Sequence, residues 1–270
     1  MLFVLAEVGS LIRPVLWEQQ GHIGYIRLNR PEHLNALNYD MLVALGEILE
    51  AIGQSPRDIR VVIIGGEGRA FCAGADLKER RMLNEQQVRQ NLNKTREVFS
   101  ALEWLPQPTI AAINGYAFGG GMELALCCDF RYSLREAQMG LTEVSLGIIP
   151  GAGGTQRLPR LIGASKAKEL ILTARKLSAE QAYELGLLNG VADDHEQLKG
   201  KCEELAAEIL AQAPLAVFQA KAAIDRGLDT DLQSGLDLEF EAYEATLTTK
   251  DRLEALEAFR EKRAPHFRGE

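Results

Sequence analysis

The chain has 270 residues, 46% of them hydrophobic and 25% charged, with a formal net charge of −8. That balance suits a globular chain of one large domain, or one domain with an appendage. It argues against the broad basic face of a nucleic-acid binder, and no window of ~18 uncharged apolar residues offers a membrane span.

The opening residues, MLFVLAEVGSLIRP, are briefly apolar. A Glu interrupts them, and no basic leading region or cleavage site accompanies them, so no signal peptide is expected. They read as an ordered extension or a start-site artefact, and cytoplasm is the expected location. Residues 15–18 and 23–28 then read as a β-hairpin. Residues 37–52 repeat apolar side chains at helical spacing, at Leu42, Leu45, Ile48, Leu49 and Ile52. Residues 61–64 form a short apolar strand that Gly65-Gly66 stops. A loop spans GEGRAFCAGADLKER, and a helix over 85–105 ends before Pro106 and Pro108. A strand at 109–113 leads into a glycine turn and a helix carrying Glu123. Short strands at 130–133 and 138–140 precede a second glycine turn at 150–154. Helices follow at 156–162, 165–173, 179–185, 196–212, 214–226, 232–246 and 250–263. This order predicts an α/β fold with a parallel-rich core. The core is assigned to residues 1–195 and a C-terminal helical region to 196–270.

The stretch AFGGGMELALCCD carries the strongest chemical signal. Three glycines let a ligand approach the main chain, and the helix start behind them offers N–H groups without intrahelical partners. Glu123 lies inside that apolar helix, where a carboxylate is costly unless it is paired or working. In FCAGADLK, small residues at 73–75 leave the backbone bare, with Lys78 and Arg69 nearby; this suits a phosphate-bearing ligand. Neither a P-loop nor a dinucleotide fingerprint is present. Glu143 is the second carboxylate in an apolar setting, and with Glu123 it forms a candidate acid/base pair. Asp129 is expected to make a structural hydrogen bond. The four cysteines, Cys72, Cys127, Cys128 and Cys202, lack zinc or CxxC spacing and read as reduced core thiols. None of the four histidines lies in a motif.

Taken in order, LNRPEHLNAL, AFCAGADLKE, PTIAAINGYAFGGGMELALCCD and GLTEVSLGIIPGAGGTQRLPR resemble the enoyl-CoA hydratase/isomerase (crotonase) superfamily. The likeness covers nearly the whole chain from about residue 15. It implies a spiral of ββα turns followed by a helical region that forms trimers, often paired into hexamers. It implies that the N–H groups of Ala75 and Gly120 bind the thioester oxygen. It implies that Glu123 and Glu143 hold the reacting water, with Glu143 mainly the acid and Glu123 the water-orienting base. The adenine and phosphates of CoA are expected along Ala73, Ala75, Asp76, Leu77 and Lys78 and near Leu34 and Ala36, with Arg30 close by. No metal or redox cofactor is needed; CoA is part of the substrate.

Both glutamates favour a hydratase. Isomerases of the superfamily typically manage with one carboxylate, and some bifunctional members keep both. Details such as ADLKER and the final TKDRLEALEAFREKRAPHFRGE resemble the methylglutaconyl-CoA hydratases of leucine breakdown, and equally the less characterised enoyl-CoA hydratase-domain proteins. A distal carboxylate on the acyl group would want a nearby cation, and Arg80, Arg81 and Arg89 are candidates. One member of that branch binds RNA through a lysine-rich early helix. The matching segment here, ALNYDMLVALGEILEAI, has no lysine or arginine and three acidic residues, so nucleic-acid binding is not expected. A non-catalytic CoA-binding scaffold is disfavoured by the two intact glutamates and glycine turns. The basic end, Arg260, Lys262, Arg263 and Arg268, reads as solvated charge or as part of a nucleotide site.

Overall fold

The computed structural model describes residues 13–270; of the opening segment, residues 1–12 lie outside the described residues. β1 (Val15–Gln20) and β2 (Ile23–Leu28) form the expected antiparallel hairpin. α1 (Tyr39–Gly53) starts where the Asn38 side chain accepts the Met41 N–H, and it buries Leu42, Leu45, Leu49 and Ile52. β3 (Val61–Gly66) runs through Gly65-Gly66 instead of stopping there, because both glycines pair with Arg27 and Leu28 of β2. The stretch read as a loop contains β4 (Ala70–Cys72) and the single turn α2 (Leu77–Arg80). Three apolar residues carry no alternation, so β4 leaves little periodic trace.

Beyond α3 (Glu85–Glu103), β5 (Thr109–Ile113) is followed by β6 (Tyr116–Phe118) and α4 (Gly120–Leu126). β7 (Phe130–Leu134) and β8 (Gln138–Gly140) lead to a 3-10 turn at Glu143–Leu146, then α5 (Gly154–Ile162) and α6 (Ala164–Leu172). The chain continues through β9 (Leu177–Ser178), α7 (Ala179–Glu184), β10 (Gly190–Ala192) and α8 (His195–Leu210). It ends with α9 (Pro214–Gly227), α10 (Leu232–Leu247) and α11 (Lys250–Glu261). The short strands β6, β9 and β10 are missing from the sequence reading for the same reason as β4.

Two sheets result. The larger has the order β1-β2-β3-β5-β7-β10, parallel apart from the first pair; the smaller has the order β4-β6-β8-β9. Three consecutive stretches each give one strand to each sheet: β3 then β4, β5 then β6, β7 then β8. This is the spiral of ββα turns that the resemblance implies. Within the smaller sheet β4, β6 and β8 run parallel, so the segments after them leave the same edge.

α8 packs against β3, β5, β7 and β10 and buries Leu198, Cys202 and Ala206. The first helix of the 196–270 region therefore shares the core of the larger sheet. α9 and α10 pack on each other, and α10 buries none of its residues. Asp129 ties this part down: its carboxylate accepts from the Thr109 N–H and hydroxyl, at 2.7 and 2.9 Å, and from Lys221 of α9 at 2.5 Å. That is the structural role expected for it. All four cysteines are buried and free, and burial pushes the Cys72 and Cys128 thiols up to about 12. No helix among the described residues is long and apolar enough to cross a membrane.

The spiral requires α4 to lie directly on β4. A Cβ on Gly121 would stand 2.0 Å from the Cys72 carbonyl oxygen. Gly121→Ala is expected to destabilise the protein by at least about 2 kcal/mol, read as a lower urea midpoint; an unchanged midpoint would mean that this contact relaxes freely.

Candidate active site

Three segments leaving the parallel strands of the smaller sheet converge on one cleft of about 630 Å3. Ala73, Gly74 and Ala75 follow β4, Gly119 and Gly120 follow β6, and Thr142 and Glu143 follow β8. Ligands of parallel α/β sheets collect at such C-terminal strand ends. The structure thus brings together Ala75, Gly120, Glu123 and Glu143, the four residues singled out for catalysis.

Ala75 lies in an isolated parallel bridge with Leu37. Leu37 donates to the Gly74 carbonyl at 2.8 Å and accepts from the Asp76 N–H at 2.9 Å. In that pattern the intervening amide of Ala75 points away from Leu37. The Gly120 amide begins α4, where no intrahelical acceptor exists. A Cβ on Gly120 would lie 3.7 Å from the Ala75 nitrogen, so the two amides are neighbours. The residue before them is constrained: Gly119 has φ 52° and ψ −124°, outside the regions open to residues with a Cβ. Its missing side chain also leaves room for Glu143, whose Oε1 would lie 3.3 Å from a Cβ there.

The two glutamates are both buried and differently surrounded. Glu123 Oε1 accepts from the N–H groups of Ala152 and Gly154, at 2.8 and 2.9 Å. Burial raises its pKa, while the Gly154 and Ala152 amides and the charge of Arg157 pull the other way. Arg157 donates to the Ala152 carbonyl at 2.8 Å and makes a two-pronged pair with Glu103 at 2.6 and 2.5 Å. It therefore braces the loop whose amides hold Glu123. Among the described residues, neither carboxylate oxygen of Glu143 has a hydrogen-bond partner. Burial, with a smaller contribution from the Glu123 charge, pushes the Glu143 carboxyl up to about 7. Sequence reasoning marked residues 150–154 only as a glycine turn. Its donors are backbone amides, which no side-chain type announces, and Arg157 sat unremarked behind them.

The expected CoA-binding residues divide. Arg30 donates to the Ala36 carbonyl at 2.6 Å and to Asp76 Oδ2 at 3.0 Å. Asp76 Oδ1 caps α2 by accepting from the Lys78 and Glu79 amides. Burial alone would raise Asp76; the Glu79 amide, the Arg30 guanidinium and the Lys78 amide outweigh it, and its pKa falls. Arg30 and Asp76, read from sequence as ligand contacts, here fasten the 34–36 turn to the 73–78 segment. Ala73 donates to the Leu34 carbonyl at 3.0 Å in the same brace. Asn35, fully buried and missed by the sequence reading, donates to the Glu67 and Ala70 carbonyls and accepts from the Arg30 amide. Leu77 and Lys78 are exposed beside the cleft. At the C-terminal end, Arg263 pairs with Glu254 and Glu261, so that charge is internally neutralised.

A family model described as enoyl-CoA hydratase/isomerase matches residues 18–270. The chain is 49% identical over 253 residues to the enoyl-CoA isomerase/hydratase fer4 of Mycosarcoma maydis, covering 91% of this chain and 92% of that protein. It is 46% identical over 259 residues to the mitochondrial methylglutaconyl-CoA hydratase of Mus musculus, covering 94% and 82%. The crystal structure of an enoyl-CoA hydratase from Bacillus anthracis superposes with a TM-score of 0.92 at 50% identity, covering 95% of this chain and all of that one.

The raised pKa of Glu143 has a consequence for stability. The folded state holds this proton more tightly than the unfolded chain, so burial of Glu143 costs little below pH 4.5. The cost grows as pH rises and is complete above about 7. Glu143→Gln cannot ionise. Its Tm relative to the unmodified protein is expected to rise by at least about 3 °C between pH 5 and pH 8, roughly the effect of 1 kcal/mol at this size. A difference independent of pH would show that Glu143 titrates as an ordinary carboxyl.

Proposed function

The chain belongs to the enoyl-CoA hydratase/isomerase family, and from that premise we propose that it is a hydratase. It adds water across the C2–C3 double bond of a 2-enoyl-CoA thioester to give a 3-hydroxyacyl-CoA. The observation that carries this reading is the unequal treatment of two neighbouring carboxylates. Burial leaves the Glu123 pKa raised, but two amides and the charge of Arg157 oppose that shift and support its charged form. Glu143 has no hydrogen-bond partner among the described residues, and a pKa of about 7 leaves it partly protonated at neutral pH. Environments that push two carboxyl pKa values apart mark a base and an acid.

In the proposed reaction a water lies between the two carboxyl groups. Glu123 accepts a proton from it as the oxygen bonds to C3. The double-bond electrons shift toward the thioester carbonyl, and its oxygen takes up negative charge facing the Ala75 and Gly120 amides. Loss of one such donor typically costs ~3–4 kcal/mol of barrier. Glu143 then delivers its proton to C2, so that H and OH have been added and the thioester is regenerated. CoA takes part only as a portion of the substrate, with its nucleotide along 34–36 and 73–78.

A relative named methylglutaconyl-CoA hydratase supports 3-methylglutaconyl-CoA, from branched-chain amino acid breakdown, as one substrate to test beside the fatty acid intermediate crotonyl-CoA. A relative named isomerase/hydratase keeps double-bond migration as a second reading. Loss of enoyl-thioester absorbance separates them. Hydration of at least one substrate is expected, lowered about 10²- to 10⁴-fold by Glu123→Gln and by Glu143→Gln. No hydration, with turnover of Δ3-enoyl-CoA, would replace this reading with isomerase.

The proposed assembly is a homotrimer, or two trimers paired. Leu232, Phe240, Tyr243 and Phe259 are 62–87% exposed on the C-terminal helices, an apolar surface that burial against further subunits would cover. Light scattering is expected to give three or six times the 29.7 kDa chain mass; a monomer would exclude it.

A further inference from the structure

The turn that holds Glu123 has two faces. On the inner face the Ala152 and Gly154 amides converge on Glu123 Oε1. The residue between them, Gly153, has a φ of 108°, which residues with a Cβ rarely adopt. On the outer face lies the Arg157 guanidinium. Its Nη1 donates to the Ala152 carbonyl at 2.8 Å, and a Cβ on Gly153 would collide with the same nitrogen. Glu103 holds the guanidinium with two bonds, accepting from Nε at 2.6 Å and from Nη2 at 2.5 Å. Glu103 is the last residue of α3, and its carbonyl accepts from Lys221 of α9 at 3.3 Å.

Neither Arg157 nor Glu103 lines the cleft; both line a groove behind the turn. Their side chains are 16% and 32% exposed. Taking such a pair out of water stabilises a fold little or not at all, so stability is a weak reason for it. Its charge does reach the site: burial raises the Glu123 pKa, and Arg157 acts against that rise. The other ionisable groups around Glu123 are Glu143 on the cleft side and the Cys72 and Cys127 thiols, which burial keeps protonated. Arg160, farther along α5, is exposed and faces Asp229 at 3.4 Å. Arg157 is the cation that acts on this carboxylate.

We propose that Arg157 and Glu103 are positioning residues for Glu123, acting from outside the cleft through the 152–154 turn to fix the carboxylate that accepts the proton. The identity of Glu123 as proton acceptor rests on the hydratase reading; the hold on its carboxylate does not. Arg157 orients the turn through the Ala152 carbonyl and supplies charge. Glu103 fixes the plane of the guanidinium, which only a fork-shaped cation can exploit.

The test pairs kinetics with a titration read without turnover. In Arg157→Met, kcat for crotonyl-CoA hydration is expected to fall about 10²-fold with KM nearly unchanged. The acid limb of its pH profile is expected at higher pH, since a base that has lost its cation holds its proton longer. The carboxyl 13C resonance of Glu123, assigned by its absence in Glu123→Gln, is expected to titrate at least about half a pH unit higher in the same variant. Arg157→Lys keeps the charge without the fork and is expected to fall between in both readouts. Glu103→Gln is expected to lower kcat by less than Arg157→Met, and to add nothing in the Arg157→Met background, because the two act as a unit. The Lys and Gln variants carry the test where Arg157→Met does not fold. An unmoved Glu123 titration in both Arg157 variants would overturn the proposal. So would a loss of kcat with an unmoved pH profile, which would leave the pair a purely structural clamp. Hydration of neither crotonyl-CoA nor 3-methylglutaconyl-CoA by the unmodified protein would overturn the hydratase reading alone, and the Glu123 titration would still decide the role of the pair.

Discussion

The site depends on two carboxyl groups buried side by side, which cannot both ionise cheaply. Glu123 is supplied with what a charge needs: two backbone amides on one oxygen and the nearby guanidinium of Arg157. Among the described residues no group donates to Glu143, and burial keeps its proton on to about pH 7. The asymmetry comes from loops, since the amides belong to Ala152 and Gly154. That loop in turn is braced by the Arg157–Glu103 pair. A partner-free buried carboxyl is a cost to the folded state. Its persistence next to a carboxylate whose Oε1 accepts from two amides is the arrangement expected where proton transfer, and not stability, decides the residue.

The spiral explains how distant segments meet. β4, β6 and β8 are short, but they are parallel neighbours, and each releases its following segment at the same edge. One amide comes from behind β4, the second from behind β6 with Glu123, and Glu143 from behind β8. Close approach is bought with glycine: a Cβ at Gly121 would strike the Cys72 carbonyl, and one at Gly119 would crowd Glu143. The three consecutive glycines therefore serve main-chain packing and the site at once.

The segment expected to hold the nucleotide also illustrates a division of labour. Arg30, Asn35 and Asp76 are polar and partly or fully buried, and their hydrogen bonds go to the protein itself. They shape the 34–36 turn against 73–75, which leaves the backbone of the small residues facing the cleft. Charge placed in a motif can thus serve a ligand indirectly, by fixing the main chain that meets it.

Much of this was legible in the linear chain. The apolar spacing of α1, the capped and proline-limited α3, and the apolar strands β3 and β5 gave the α/β core, because periodicity reports the burial of long elements. Glu123 and Glu143 stood out because carboxylates in apolar runs are costly wherever the chain folds. Strands of two or three residues did not stand out, since they contain too few residues to show a period. The larger sheet's reach into α8 and the pairing of Arg30 with Asp76 were decided only by tertiary structure. So was the difference between the two glutamates. Which amide, cation or apolar wall surrounds a side chain depends on residues far away in sequence, and a pKa or a specificity is a property of those surroundings rather than of the residue.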